Sequence, residues 1–153
     1  MSVEQEGSVQ DESLSPSSPE TRQKVVAVAS SAGGLYALSV ILAMLPVDFR
    51  APIVVAQHLS PNRKSLLADI LNRHCLLPVK EAQEGNCLRA GWVYISPGGS
   101  HLLVNADLSL SLSHAAKVNF SRPSADVLFT SEAANVGRGG GRYRTDGREW
   151  GRD

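Results

Sequence analysis

The feature that most constrains this chain is a buried-strand pattern that runs straight into a glycine-rich turn and then into a helix. Five apolar residues, Val25–Ala29, lead into Ser30-Ser31-Ala32-Gly33-Gly34, and leucines then recur at helical spacing. A strand–turn–helix unit of this kind exposes the turn residue at the carboxyl end of the strand, beside the free backbone N–H groups of the helix start. Ser31 occupies that position, so its hydroxyl is a candidate nucleophile.

The serine turn alone does not specify an enzyme. The segment Ala29-x-Ser31-x-Gly33 is the Gly-x-Ser-x-Gly hydrolase turn with Ala in place of its first Gly, a change that is tolerable only if position 29 needs no positive φ. An ordinary glycine-softened turn of a doubly wound protein would have the same sequence. A phosphate or nucleotide site is a minor alternative, because the turn has neither a P-loop lysine nor a complete Gly-x-Gly-x-x-Gly.

A second apolar run ends on a histidine. Ala51–Ala56 is again typical of a buried strand, Gln57 and His58 follow it, and Ser60-Pro61 begins another helix. Because parallel strands joined by a crossover helix are usually neighbours, we expect Ser31 and His58 at the same edge of one sheet. A neutral imidazole there can accept the serine proton. The alternative is a histidine that only hydrogen-bonds the backbone at the sheet edge.

The order of the predicted elements indicates an α/β fold, with a doubly wound, mostly parallel sheet and helices on both faces. Alternating Ser and Leu from 109 to 113 is typical of a half-exposed edge strand. The pattern predicts strands at 25–29, 52–57, 78–82 and 92–96, helices at 34–45, 61–73 and 123–135, and a hairpin of 101–104 with 108–113.

Composition limits the partners and the location. With 153 residues, 42% of them hydrophobic, and a formal net charge of zero, the chain can bury one core and presents no expected polyanion-binding surface, so no nucleic-acid partner is predicted. No apolar run approaches the roughly 18 residues that a membrane span needs, and there is no signal peptide. We therefore expect a cytoplasmic protein without membrane insertion.

Cysteines and histidines outside the two strand ends give no further site. Cys75 and Cys87 are expected to be inert thiols, and a Cys75–His74 pair is disfavoured because adjacent helical residues point to different sides. His101 and His114 have no partners at metal-ligand spacing, so no metal site is predicted.

Five motifs resemble, in order and spacing, the catalytic domain of the CheB-type chemotaxis protein-glutamate methylesterases. They are Val26–Leu35, Ala51–Pro61, Glu81–Gly85, Val93–Leu102 and Arg122–Phe129. In that family the serine before the small residue and Gly-Gly is the nucleophile, and the histidine of the Gln-His pair is the general base. The resemblance therefore implies these roles for Ser31 and His58.

The resemblance also implies a substrate. Family members hydrolyse glutamate methyl esters on chemoreceptors without a cofactor, so the expected partners are the methylated cytoplasmic segments of chemoreceptors. Arg122 could steer such acidic segments, or it could form an ordinary structural ion pair. The family usually has Gly-Ala before the serine and Thr after it, whereas this chain has Ala29-Ser30 and Ala32. Since the expected oxyanion donors are backbone N–H groups, the missing Thr matters less than the missing Gly.

The resemblance covers residues 24 to 136 and then stops. Family members continue with a buried strand and a Gly-x-Gly-x-Asp-Gly loop, whose aspartate orients the histidine. This chain instead has a Gly- and Arg-rich segment without a core-strand pattern, in which Asp153 is the candidate third member of the triad. We interpret 137–153 as an aberrant tail from truncation or frameshift, which makes the α/β domain incomplete. A tail that binds acidic partners or nucleic acid is the alternative.

These expectations divide the chain into a disordered leader at 1–22, a partial methylesterase domain at 23–136, and the tail at 137–153. The leader is rich in Glu, Ser and Pro and carries no receiver domain, which family members commonly have. Without the strands that should follow residue 136, apolar surface stays exposed and stability is expected to be marginal. Two readings of function remain beside the nucleotide site: an active carboxylic ester hydrolase, and an inactive remnant or receptor-binding module of the same fold.

Overall fold

The computed structural model describes residues 24–58 and 66–136, together with the backbone of 143–144. In these ranges the strands are β1 (Val26–Ser30), β2 (Ile53–Gln57), β3 (Val79–Glu81), β4 (Val93–Ile95), β5 (His101–Val104), β6 (Leu110–Ser113) and β7 (Tyr143–Arg144). The helices are α1 (Leu35–Ala43), α2 (Leu67–Asn72) and α3 (Ala125–Asn135), and a 3-10 turn, Ala32–Gly34, leads into α1.

Five strands form one parallel sheet in the order β3-β4-β2-β1-β7, and β5 and β6 form a separate antiparallel hairpin. The strands β1 and β2 are joined through α1, and they are neighbours, as a crossover connection favours. Their register pairs Val26 with Ile53 and ends with Ser30 opposite Gln57. The predicted parallel α/β sheet is therefore confirmed.

Two apolar cores cover the two faces of the sheet. On one face α1 and α2 bury Leu38, Leu42, Leu67 and Leu71 against strand residues such as Val55. The opposite face is covered by α3 and the β5–β6 hairpin. That second core contains Val54, Tyr94, Leu102, Val104, Leu110, Leu128 and Phe129. The prediction of helices on both faces is confirmed, and the bounds of the elements differ from the predicted ones by a few residues. Residues 61–65 of the predicted second helix lie outside the described residues.

The interpretation of the tail as lacking a strand was wrong at two residues. Tyr143 and Arg144 pair in parallel with Val28 and Ala29 of β1. Such pairing uses backbone N–H and C=O groups, which every non-proline residue carries, so it does not require an apolar side-chain pattern. The remaining tail, like the predicted leader at 1–22, lies outside the described residues.

Helix α1 keeps several apolar side chains in water. Its inner face buries Leu38 and Leu42, whereas Tyr36 is 81% exposed and Met44, at the end of the helix, is 79% exposed. Val40 and Ile41 of α1 are also exposed, as is Val47 in the segment that follows the helix. A contiguous apolar patch on a protein surface favours association. None of the helices described is long and apolar enough to cross a bilayer.

The exposed side of α1 predicts dye binding and self-association. We expect the purified chain to bind a hydrophobic dye, and we expect Met44→Lys to reduce both dye fluorescence and the associated fraction in size-exclusion chromatography, because a charge opposes burial. Thr130→Lys adds the same charge at an exposed position of α3 and is the matched control. A monomer that melts sharply and binds no dye would contradict this prediction.

The two cysteines are expected to differ in reactivity. Burial raises the pKa of the Cys75 thiol, and the hydrogen bond to the Leu77 backbone only partly offsets this. Cys87 is exposed. Because the thiolate is the reacting form, a raised pKa leaves less of it at neutral pH. Mass spectrometry should show iodoacetamide modifying Cys87 first, with Cys75 gaining reactivity as the pH is raised. Faster labelling of Cys75 at neutral pH would overturn this.

Candidate active site

Ser31 stands at the carboxyl end of β1, where the strand passes into the 3-10 turn. Its backbone is extended, with φ −103° and ψ 178°, and its carbonyl accepts the N–H of Gly34 at 2.9 Å. Ser31 is exposed, whereas Ser30 is only 6% exposed and its hydroxyl donates to the Ser31 carbonyl at 3.3 Å. The two adjacent serines thus differ in access, and only Ser31 is open to a substrate.

The missing first glycine of the serine turn has a local explanation. Ala29 lies inside β1, paired with Ala56 of β2, and it is not among the residues with positive φ. Its backbone conformation is open to any L-residue, so glycine is not needed there. The substitution leaves the geometry of the turn at Ser31 intact.

His58 follows β2 at the same level at which Ser31 follows β1. Its backbone N–H donates to the Ser30 carbonyl at 3.0 Å, which extends the parallel ladder by one residue. Neighbouring strands lie about 4.8 Å apart. Side chains alternate between the two faces of a sheet, and Ala29 and Ala56 both face the core formed with α3. Ser31 and His58, two residues further on, are therefore directed to that same side.

The ring of His58 contacts a serine that the sequence did not single out. Its Nδ1 lies 3.2 Å from the Oγ of Ser121, which is 63 positions away along the chain. No hydrogen bond joins Ser31 and His58 in the part of the chain that the structure describes, and no carboxylate there contacts the His58 ring. Asp153, the predicted third member, lies outside the described residues. For Ser121, the only signal in the sequence was its position next to the Arg122-Pro123 motif.

A tight turn presents Ser121. The backbones of Val118 and Ser121 exchange two hydrogen bonds of 3.0 Å, and the residues between them, Asn119 and Phe120, have positive φ values of 49° and 62°. The Ser121 hydroxyl donates to the Pro123 carbonyl at 2.6 Å. The serine is thus held at its backbone and at its side chain.

Arg122 fixes the loop before α3. Its Nη1 donates to the carbonyls of His114 at 3.1 Å and Ala115 at 3.2 Å. In the described part of the chain the partners of the Arg122 guanidinium are therefore backbone carbonyls and not a carboxylate. The Arg122 guanidinium therefore helps to hold the loop that carries Ser121 in place.

A second serine–histidine contact and a buried histidine also lie near this loop. Ser100 Oγ is 3.2 Å from His114 Nε2, but Ser100 is only 5% exposed, so an ester has no access to it. His101 is 1% exposed, and it accepts the Ser124 N–H at Nδ1 and donates from Nε2 to the Ala116 carbonyl. Both contacts tie the loop to β5. Within residues 24–58 and 66–136 no group of three or more His, Cys, Asp and Glu could hold a metal ion.

Comparison with known proteins gives one consistent family. The CheB methylesterase family model matches residues 26–141. A protein-glutamate methylesterase/protein-glutamine glutaminase 1 from Saccharophagus degradans is 40% identical over 131 residues, which cover 82% of this chain and 36% of that protein. A putative protein-glutamate methylesterase/protein-glutamine glutaminase from Leptospira interrogans is 41% identical over 106 residues, which cover 69% of this chain and 55% of that protein.

A solved structure agrees with these relatives. The crystal structure of the Thermotoga maritima CheB methylesterase catalytic domain matches with a TM-score of 0.70 and 38% identity, over 74% of this chain and 62% of that one. The chain spans from about a third to about half of the length of the curated relatives named above. The family match over most of the chain and relatives near 40% identity show that this chain belongs to the CheB methylesterase family.

Proposed function

We propose that the chain hydrolyses glutamate methyl esters of chemoreceptors, with Ser31 as nucleophile and His58 as general base. The observation that carries the proposal is the placement of the two residues. They are the first residues beyond two paired strand ends, they are directed to the same side of the sheet, and both are exposed. The names of the relatives support the choice of a methylated glutamate as substrate.

The reaction proceeds in two halves. His58 takes the Ser31 hydroxyl proton as the oxygen attacks the ester carbonyl, and the protonated imidazole then gives that proton to the departing methoxide oxygen, which leaves as methanol. Water attacks the resulting acyl-enzyme with His58 again as base, which releases the glutamate carboxylate and regenerates the serine. The backbone N–H groups of Ala32 and Gly33, in the first turn after Ser31, lack intrahelical partners and are the donors for the oxyanion.

The inactive remnant is the second candidate, and one observation favours it. Among the described residues the partner of His58 Nδ1 is the neutral hydroxyl of Ser121 and not a carboxylate. In the serine-protease template, replacing the carboxylate costs about 10⁴ in turnover. The proposal therefore includes slow turnover. Complete inactivity toward ester probes in a folded chain would favour the remnant.

Covalent labelling tests the nucleophile. A fluorophosphonate ester should label the folded chain at Ser31, and Ser31→Ala or His58→Ala should abolish the labelling, because both the attacking oxygen and its base are required. Ser30→Ala is the matched control and should retain most of it, since that hydroxyl is buried on the other side of the strand. Peptide mapping that finds the label on Ser30 would overturn the assignment.

Product analysis tests the substrate. Chemoreceptor fragments carrying glutamate methyl esters should release methanol in the presence of the chain and none with Ser31→Ala. Ammonia is measured in parallel, because the names of the relatives include protein-glutamine glutaminase. Labelling of Ser31 without release of methanol would retain the nucleophile and reject this substrate.

Substitution of Asp153 tests the third member of the triad. We expect Asp153→Asn to leave ester turnover close to the unmodified value, because a neutral group already contacts the His58 ring. The measurement is the initial rate with an activated ester such as p-nitrophenyl acetate. A loss that approaches the roughly 10⁴-fold of the protease template would show that Asp153 orients His58 instead.

A further inference from the structure

The contact between His58 and Ser121 determines which nitrogen of the imidazole carries the proton. The Ser121 hydroxyl has a single proton, and its oxygen lies 2.6 Å from the carbonyl oxygen of Pro123. A carbonyl can only accept a hydrogen bond, so the hydroxyl proton must lie between these two oxygens. The lone pairs of the same Oγ then face His58.

The 3.2 Å approach of Oγ to His58 Nδ1 therefore requires a proton on Nδ1. In a neutral imidazole one nitrogen donates and the other accepts, so Nε2 carries the lone pair. The opposite arrangement would turn the hydroxyl toward Nδ1 and leave two oxygens 2.6 Å apart without a proton between them. That arrangement is unfavourable, because both oxygens present lone pairs.

We propose that Ser121 is a positioning residue that holds His58 in the tautomer whose Nε2 accepts the Ser31 proton. The proposal rests on the function proposed above for the roles of Ser31 and His58. It gives Ser121 the part that a carboxylate has in the serine-protease template, namely selection of the tautomer and of the ring orientation.

Ser121 is well placed for this part because its surroundings are fixed independently of His58. Its backbone closes the two-residue turn with Val118, and its hydroxyl is directed by Pro123. Arg122 holds the preceding segment of the loop by two contacts, to the carbonyls of His114 and Ala115. A group can orient a catalytic side chain only when its own position is set by other contacts.

The neutral partner also limits what Ser121 can do. When His58 becomes protonated, the bond from Nδ1 to Oγ becomes charge-assisted and shortens, but a hydroxyl carries no negative charge to stabilise the imidazolium. Ser121 thus supplies orientation without the electrostatic contribution of a carboxylate. Because Ser121 supplies only orientation, removing its hydroxyl should have a modest effect on turnover and a clear effect on the tautomer of His58.

Histidine ring nitrogen NMR measures the tautomer directly. In the ¹⁵N-labelled chain, under alkaline conditions where the rings are neutral, His58 should show a protonated Nδ1, with its signals assigned through His58→Ala. Ser121→Ala should shift the population toward the Nε2–H form, and Ser121→Thr, which keeps the hydroxyl, should preserve the original pattern. His101 is an internal reference, because its contacts require the opposite tautomer, with the proton on Nε2.

Kinetics on an activated ester provide the second readout. Ser121→Ala should lower kcat between about two- and tenfold, the range that corresponds to one net hydrogen bond, and should leave KM unchanged, because a positioning residue acts through His58 and not through substrate binding. Ser121→Thr should restore kcat. Ser39→Ala is the matched control, since it removes another serine-to-carbonyl hydrogen bond, of 2.7 Å to Tyr36, from the exposed side of α1.

The two readouts separate this proposal from the proposed function. A protonated Nε2 on His58 in the unmodified chain would overturn the role of Ser121, and that measurement does not depend on any variant folding. An unchanged tautomer in folded Ser121→Ala would do the same. If the tautomer behaves as expected and no ester is hydrolysed, the positioning of His58 by Ser121 stands and the proposed function fails.

Discussion

The candidate site depends on the in-register pairing of β1 with β2. Ser30 lies opposite Gln57, so the next residue on each strand leaves the sheet at the same level, and the His58 N–H still bonds the Ser30 carbonyl. Because side chains alternate along a strand, a slip of one residue would turn His58 to the other face of the sheet. The buried residues of β2, from Ile53 to Gln57, make such a slip costly, since it would also exchange the side chains between the two apolar cores.

The loop before α3 carries Ser121, the residue that contacts the His58 ring. The loop before α3 is tied to β5 by the buried His101, which contacts the backbone at both Ala116 and Ser124. Arg122 adds two further contacts to backbone carbonyls in the same loop. These contacts hold the surface loop that carries Ser121, and side chains at binding and catalytic sites are often carried by loops positioned in this way. The loop held in this way places Ser121 next to His58, on the face of the sheet that is covered by α3 and the β5–β6 hairpin.

The contact between His58 and Ser121 shows that membership of the family does not by itself set the strength of the activity. The family match and the parallel sheet account for the placement of a serine and a histidine at one edge. Among the described residues the partner of the His58 imidazole is the hydroxyl of Ser121, which carries no formal charge. A carboxylate would add a favourable charge interaction with the imidazolium.

The sequence by itself determined the strands, the parallel α/β class, the two helix-covered faces and the positions of Ser31 and His58 at neighbouring strand ends. These follow from local patterns, because apolar runs, turn residues and crossover connections act over short stretches of chain. Only the tertiary structure decided that Tyr143–Arg144 extend the sheet and that Ser121 contacts His58. The pairing of Tyr143–Arg144 relies on backbone groups that every non-proline residue has. The contact of Ser121 with His58 joins residues 63 positions apart through a loop held by Arg122 and His101, so neither feature leaves a periodic signal in the sequence.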